Sequence, residues 1–401
     1  MALASGLLKT TTYKKQSGLG VAASGSSGKT IRRVTSVFKA DRDTFESNEI
    51  VTHHQSTGIS YGLHKADGSV DALLSAGSYA DFMASIVERD YATPVTISSQ
   101  TVTYGGTSPT WTMTGTGFLT GAGLKVGDIV RASSGSVTGN NSRNFLITAL
   151  SNTVVTFRAL DGAAVTAGSS ATTTVTVVGK KTFAPTTSHT ADYYTIEEWY
   201  SNISKSELFT DMRVSSVAVS LPATGNATCK IDFVGLARTL SGSRVLTSPT
   251  TTSTGIMSAV NGIVCVGGTV QAVATGINFT IANGAQNAGA VIGSDVGADV
   301  TTGRIRVSGT LTAQFDSTTI QALYDAETIT NITVALTADM TGTSDCMSFT
   351  FPRVKFTGDA PDDGEKVITR SYPFTAEYYA SGGDGVTFDQ TIVSIVDSAA
   401  P

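Results

Sequence analysis

The sequence predicts a mainly β protein, built as two tandem β-sandwich units with one short helix each and a small β domain inserted into the first. Three observations predict this. Of 401 residues 41 are glycine and only 15% are charged, while Ser, Thr and Val are abundant, a composition that favours strands and tight turns. A strand-helix pattern that begins at Gly68 returns, without a gap, at Gly309. From Thr93 to Val178 the chain runs through closely spaced short strand candidates with Gly and Asn turns and few acidic residues. A chain of this length exceeds one ordinary core and divides into two or three domains.

Residues 1–36 are rich in Gly, Ser, Thr and Lys and lack periodicity, which reads as an extended basic arm. It carries Lys9, Lys14, Lys15, Lys29, Arg32 and Arg33. With Lys39 these make seven cations and no acid in residues 1–39, whereas the remainder holds 20 basic against 32 acidic residues. The formal charge of −5 therefore divides into a basic arm and an acidic body. The split predicts that the arm lies on the acidic body of a neighbouring copy, so that its deletion leaves the fold intact and blocks only stacking.

The first β unit is expected at 37–91 plus 183–255, the insert at 92–182 and the second unit at 256–401. In the first, Ser78 is placed to cap a helix whose Tyr79, Phe82, Met83, Ile86 and Val87 form one apolar stripe. Sliding the chain so that Gly68–Ala72 lies over Gly309–Ala313 also brings Tyr79, Phe82 and Met83 over Ile320, Leu323 and Tyr324. A second correspondence completes the units. Arg213 and Val214, the turn Pro222–Gly225 and the alternating run Thr228–Phe233 answer to Arg353 and Val354, Pro361–Gly364 and Val367–Tyr372.

Gly303–Phe315 reads as one long strand. Ile305, Val307, Leu311, Ala313 and Phe315 share its apolar face, and Arg304, Arg306, Ser308, Thr310, Thr312 and Gln314 its polar one. At about 3.3 Å per residue it would span ~40 Å, a length suited to the wall of a ring or barrel, or to a long sandwich strand with one solvated face.

The chemical motifs are weak. Residues Ala23–Thr30 fit a permissive phosphate-loop pattern, but no buried strand leads in and no helix follows. The histidines His53, His64, His189 and the adjacent His54 have no second ligand at metal-binding spacing. Cys229, Cys265 and Cys346 are widely spaced and odd in number, which signals neither a disulfide framework nor a zinc site. Glu197 with Glu198, and Asp362 with Asp363, are adjacent in strand patterns, so their carboxylates point apart and make no general acid/base pair. No enzyme activity, cofactor or metal is expected, and no signal peptide or membrane-spanning run is read.

Taken in order and spacing, several stretches resemble the major tail tube proteins of long-tailed, non-contractile bacteriophages. They are Phe45–Ile50 followed by Gly68–Tyr91, then Tyr194–Tyr200, Val214–Pro222, Gly303–Phe315, Phe349–Lys355 and Asp362–Glu365. The resemblance implies a structural virion protein whose β-sandwich units close into rings around one continuous barrel. Stacked rings then form the tube that conveys DNA, which passes without sequence-specific binding. Two fused units imply a trimeric ring with pseudo-sixfold symmetry. Tape measure, tail terminator and distal tail proteins are the implied partners, with assembly in the host cytoplasm. A lumen or inter-ring face is expected at Lys65, Asp67, Ser69 and Asp71 of the first unit and at Arg304, Arg306, Thr310, Thr312 and Gln314 of the second. The competing reading is a secreted or surface β-repeat adhesin or fibre, favoured by the Ser/Thr/Gly composition.

Overall fold

The computed structural model describes all residues except Met1, Ala2, His54, Ala122 and Asp363. His54 and Asp363, both named above, thus lie outside the described residues. Twelve strands carry the main architecture. Six come early: β1 (Lys9–Lys15), β2 (Thr35–Glu46), β3 (Ile59–Leu73), β4 (Tyr194–Tyr200), β5 (Lys205–Pro222) and β6 (Thr228–Gly235), with helix α1 (Ala80–Val87) after β3. Six follow: β7 (Ile263–Val266), β8 (Ala274–Ala282), β9 (Arg306–Gln314), β10 (Thr330–Thr337), β11 (Cys346–Phe356) and β12 (Thr369–Ala376), with α2 (Thr319–Asp325) after β9.

The pairings that order these strands are antiparallel. The early set runs β1-β4-β5-β6-β3-β2, and the late set β7-β10-β11-β12-β9-β8. Registers agree as well as orders. In the β2–β3 hairpin Asp41 faces Lys65 and Thr35 faces Asp71; in β8–β9 Ala282 faces Arg306 and Gly276 faces Thr312, all four displaced by the same interval that separates Gly309 from Gly68. Even an irregularity recurs, between Tyr194 and Ile196 against β5 and between Thr330 and Ile332 against β11. The sets are joined through β5 and β8, where Val217 faces Ile281 and Val219 faces Phe279.

Alternation explains why these segments are strands and which face is inward. Val70, Ile231, Val217, Ile281 and Val307 stand opposite one another across five neighbouring strands and are all fully buried. Burying each aliphatic side chain contributes roughly 1.5–3 kcal/mol. Aromatic clusters anchor both halves. Tyr13, Phe82, Tyr194 and Phe233 stack in the first, and Phe279, Phe349, Phe351 and Phe374 in the second.

Gly68 and Gly309, equivalent across the two hairpins, are needed for close approach. A Cβ on Gly68 would collide with the Phe38 ring, and one on Gly309 would lie 2.6 Å from Phe374 and 2.9 Å from Phe279. Gly68→Ala is expected to cost about 1–3 kcal/mol by overpacking, read as a lower urea midpoint, while alanine at the open position Gly242 leaves the midpoint in place.

Four details differ from the sequence reading. The strand expected over Gly303–Phe315 is regular only from Arg306 to Gln314, and Phe315 is partly exposed. Helix α1 is not capped by Ser78, whose hydroxyl instead bonds Ser75 and Thr252. Nor is α1 amphipathic: Ala80, Ala84 and Ser85 are buried along with its apolar stripe, because the helix is held between β5 and the strand Lys180–Phe183. By contrast α2 buries only Ile320 and leaves Tyr324 exposed.

The fourth difference concerns the basic arm, which is a strand of its own chain's sheet. Residues Lys9–Lys15 pair with Tyr200–Tyr194, and Tyr13 and Ile31 enter the core. Its cations find partners at home: Lys9 on Glu198 at 2.6 Å, Lys15 on Asp192 at 2.8 Å, and Lys29 on Asp81 at 2.6 Å. Lys14 donates to the carbonyls of Ser24 and Ser26, Arg32 to that of Thr254, and Arg33 to that of Lys9. The apolar positions at Tyr13 and Ile31 decide the matter, since charge alone does not say whose acids are met.

Between α1 and β4, six strands from Thr96 to Val177 close into a barrel around Tyr104, Met113, Phe118, Phe145 and Phe157. The barrel rests on the late set. Ile129, Leu146, Leu160 and Val178 pack on Cys265, Ala335 and Cys346, the Ser348 hydroxyl donates to the Gly127 carbonyl at 2.6 Å, and the Asn144 amide donates to Ser344 at 2.8 Å.

Candidate functional site: a polar sheet face and two open edges

The strands β2, β3, β6, β5, β8, β9 and β12 lie side by side, so their outward residues form one face. One cross-strand row reads Thr35, Asp71, Lys230, Ala218, Thr280, Ser308, Thr375; the next reads Val37, Ser69, Asp232, Ser216, Ala282, Arg306. A third joins Ser220, Asn278 and Thr310, and a fourth Gly276, Thr312 and Ser371.

The structure thus brings Lys65, Asp67, Ser69 and Asp71 of β3 onto the same face as Arg306, Thr310, Thr312 and Gln314 of β9, with three strands between. Arg304 lies just before β9. The residues between them, Lys230, Asp232, Ser216, Ser220, Asn278 and Thr280, were missed as site residues. Their signal was the alternation within Thr228–Phe233, which implies a polar side to β6 as clear as that of β3.

Chemically the face is rich in hydroxyls and balanced in charge. Lys65 pairs with Asp43 at 2.7 Å, Lys230 with Asp232 at 3.0 Å and Lys39 with Asp41 at 2.6 Å. Asp41, through that hydrogen bond, holds the Lys39 ammonium above its ordinary pKa. The Thr35 hydroxyl donates to Asp71 at 2.8 Å, and the Ser216 hydroxyl to Asp232 at 2.7 Å. A shallow depression of about 410 Å³ lies over Asp71, Ser220, Lys230 and Asn278. Such a surface offers no basic stripe on which phosphates would displace counterions and stay.

Two edges flank the face. Among the described residues β2 pairs only with β3, and Ala360–Asp362, which follows β11, pairs only with β12. Beyond Ala66 of β3, where pairing with β6 begins, the β2–β3 hairpin projects with Phe45, Ile59 and Tyr61 more than half exposed. At its base Asp295 meets Arg42 at 2.9 Å and accepts the His64 amide at 2.8 Å.

The other candidate groups have structural partners. The three thiols are buried, and burial pushes each to about 12. Glu197 accepts the amides of Val245 and Leu246, Glu198 holds Lys9, and His189 meets Glu88 at 3.0 Å. In the phosphate-loop-like stretch, Lys29 is engaged by Asp81 and the Ser24 and Ser26 carbonyls by Lys14.

A family model described as "Phage tail tube protein" matches residues 147–376, running from within the barrel through β4 to β12. No curated protein matches the chain.

Proposed function

Because the chain belongs to the phage tail tube protein family, which is structural and not enzymatic, we propose that it is the duplicated form of such a protein in a long-tailed, siphovirus-type phage. Three copies close into a ring with pseudo-sixfold symmetry, and rings stack into the tube through which DNA enters the host. The observation that carries this reading is the pairing of the two six-strand sets, alike in order, in register and in the position of an irregularity. Each set is one unit, and three chains supply six.

In this reading the units comprise 37–91 with 183–255, and 256–401; β1 joins the first by pairing with β4. The barrel is an insert at 92–182. It sits against β7, β10 and the early part of β11, away from the polar rows, which favours an outward position. The polar face lines the lumen, where paired charges and hydroxyls let DNA slide. The projecting hairpin, apolar at Phe45, Ile59 and Tyr61, reaches the next ring. Tape measure protein occupies the bore during assembly in the host cytoplasm, and terminator and distal tail proteins close the ends.

Immunogold labelling with antibody to the purified chain tests this against a cell-surface fibre. Gold along the whole tail shaft of virions is expected. Bare tails with labelled cell surfaces would overturn it.

A further inference from the structure

Beside the stem of the barrel is a cavity of about 500 Å³ that shares no residue with the polar rows or the open edges. Three parts of the chain wall it: Arg89, just past α1; Phe183 and the segment that follows it; and the C-terminal loop around Asp384. Each is held in place by the fold. The Arg89 carbonyl accepts the Thr182 hydroxyl at 2.7 Å, Phe183 pairs with Ser394, and the loop carbonyls of Gly383 and Val386 accept from the buried Lys125 ammonium. The pocket is therefore preformed, and a ligand loses little in ordering it.

Its donors and acceptors are not used up by the fold. The Arg89 guanidinium lies 3.7 Å from the centre of the Phe183 ring. At that distance its plane rests against the ring, and its N–H bonds, which lie in the plane, are left at the rim. Among the described residues none of them donates a hydrogen bond, and burial pulls the group below its ordinary pKa with Asp389 acting against that fall. Asp384 is exposed and, among the described residues, in no ion pair, whereas Asp389 is held by Lys181 at 2.6 Å. The Gln390 amide donates to the Ala380 carbonyl at 3.1 Å, which leaves its oxygen as an acceptor. Thr186 and Thr187 add exposed hydroxyls.

We propose that this cavity binds a neutral saccharide unit. Adjacent sugar hydroxyls can accept from the Arg89 N–H groups and donate to the Asp384 carboxylate, since each hydroxyl is at once donor and acceptor. Bonds to charged partners of this kind are the stronger ones. A phosphate or carboxylate ligand fits less well, because it meets Asp384 and Asp389 in the same cavity. An apolar ligand would cover the guanidinium without satisfying it. A free monosaccharide and the end of a polysaccharide offer the same hydroxyls.

The test is saturation-transfer NMR on the full chain, with the methyl glycosides of glucose, galactose and mannose as neutral probes and glucuronate and glycerol phosphate as anionic ones. Transfer to at least one neutral probe is expected. Its affinity should fall about tenfold or more in Arg89→Met and in Asp384→Ala, the effect of losing a hydrogen bond to a charged group. Asp384 is exposed, so its variant is expected to keep the native urea midpoint and to separate lost binding from lost fold. Transfer to no neutral probe, or to the anions alone, would overturn the proposal, and so would neutral binding that both variants leave unchanged. Where methyl glucoside binds, tighter binding of maltotetraose points to a polymer end and weaker binding to a free sugar, the site standing in either case.

Discussion

Deleting residues 1–36 is expected to destabilise the whole chain, not merely to block stacking of intact rings. The segment contributes β1, which pairs along its whole length with β4, together with the buried side chains of Tyr13 and Ile31. Burial of those two side chains is worth roughly 1.5–3 kcal/mol each. Its loss also strips Glu198, almost fully buried, of both Lys9 and the Ser36 hydroxyl. Leaving a buried charge without its partner costs about 3–5 kcal/mol. The combined loss, on the order of 5–10 kcal/mol, is comparable with the net stability of a typical domain. Urea unfolding followed by circular dichroism should show an early or absent transition for the truncated chain. A midpoint equal to that of the full chain would mean that β1 is dispensable.

The second large effect is expected at Lys181. Its ammonium lies between Asp128 at 2.7 Å and Asp389 at 2.6 Å, which ties the barrel, just ahead of its strand Ile129–Ser133, to the C-terminal loop. Burial lowers the lysine's pKa, but the attraction of the two carboxylates outweighs it and the net shift is upward. Burial raises the pKa of Asp128 despite the lysine. Lys181→Met removes the one cation in direct contact with both enclosed acids, for an expected loss of about 3–5 kcal/mol at neutral pH.

The pH dependence has a definite sign. Burial already holds the Asp128 carboxyl above its unfolded value, and without the ammonium nothing so close opposes that rise, so the folded state binds more protons. Stability then falls as pH rises through the folded value of Asp128 and is regained below the unfolded carboxylate range. The variant should therefore lie closest to the native protein in acid and furthest from it above neutrality. Urea midpoints of the two proteins between pH 5 and 8 would show the gap widening with pH; a constant gap would mean that Asp128 is not titrating in the fold.

Much of this architecture is legible in the residues, because alternation marks strands and their faces. Gly68–Ala72 and Gly309–Ala313 do occupy equivalent places in β3 and β9, and Thr228–Phe233 does alternate as it reads. What one chain's pattern does not state is who covers what. The basic arm finds its acids at Glu198, Asp192 and Asp81, all remote in sequence, and no local signal distinguishes these from a neighbour's. The same limit hid the burial of α1 on all sides and the meeting of Asp128, Lys181 and Asp389. It also hid the junction of β5 with β8, since edge pairing is decided by the whole sheet and not by the propensity of either strand.

End-on class averages from electron microscopy of assembled tubes count the chains in each ring. A chain that supplies two units gives a central channel and a ring of three chains, with six similar inner segments and only three outer projections for the barrels. Six chains to the ring, with six projections, would contradict the proposal that one chain supplies two units.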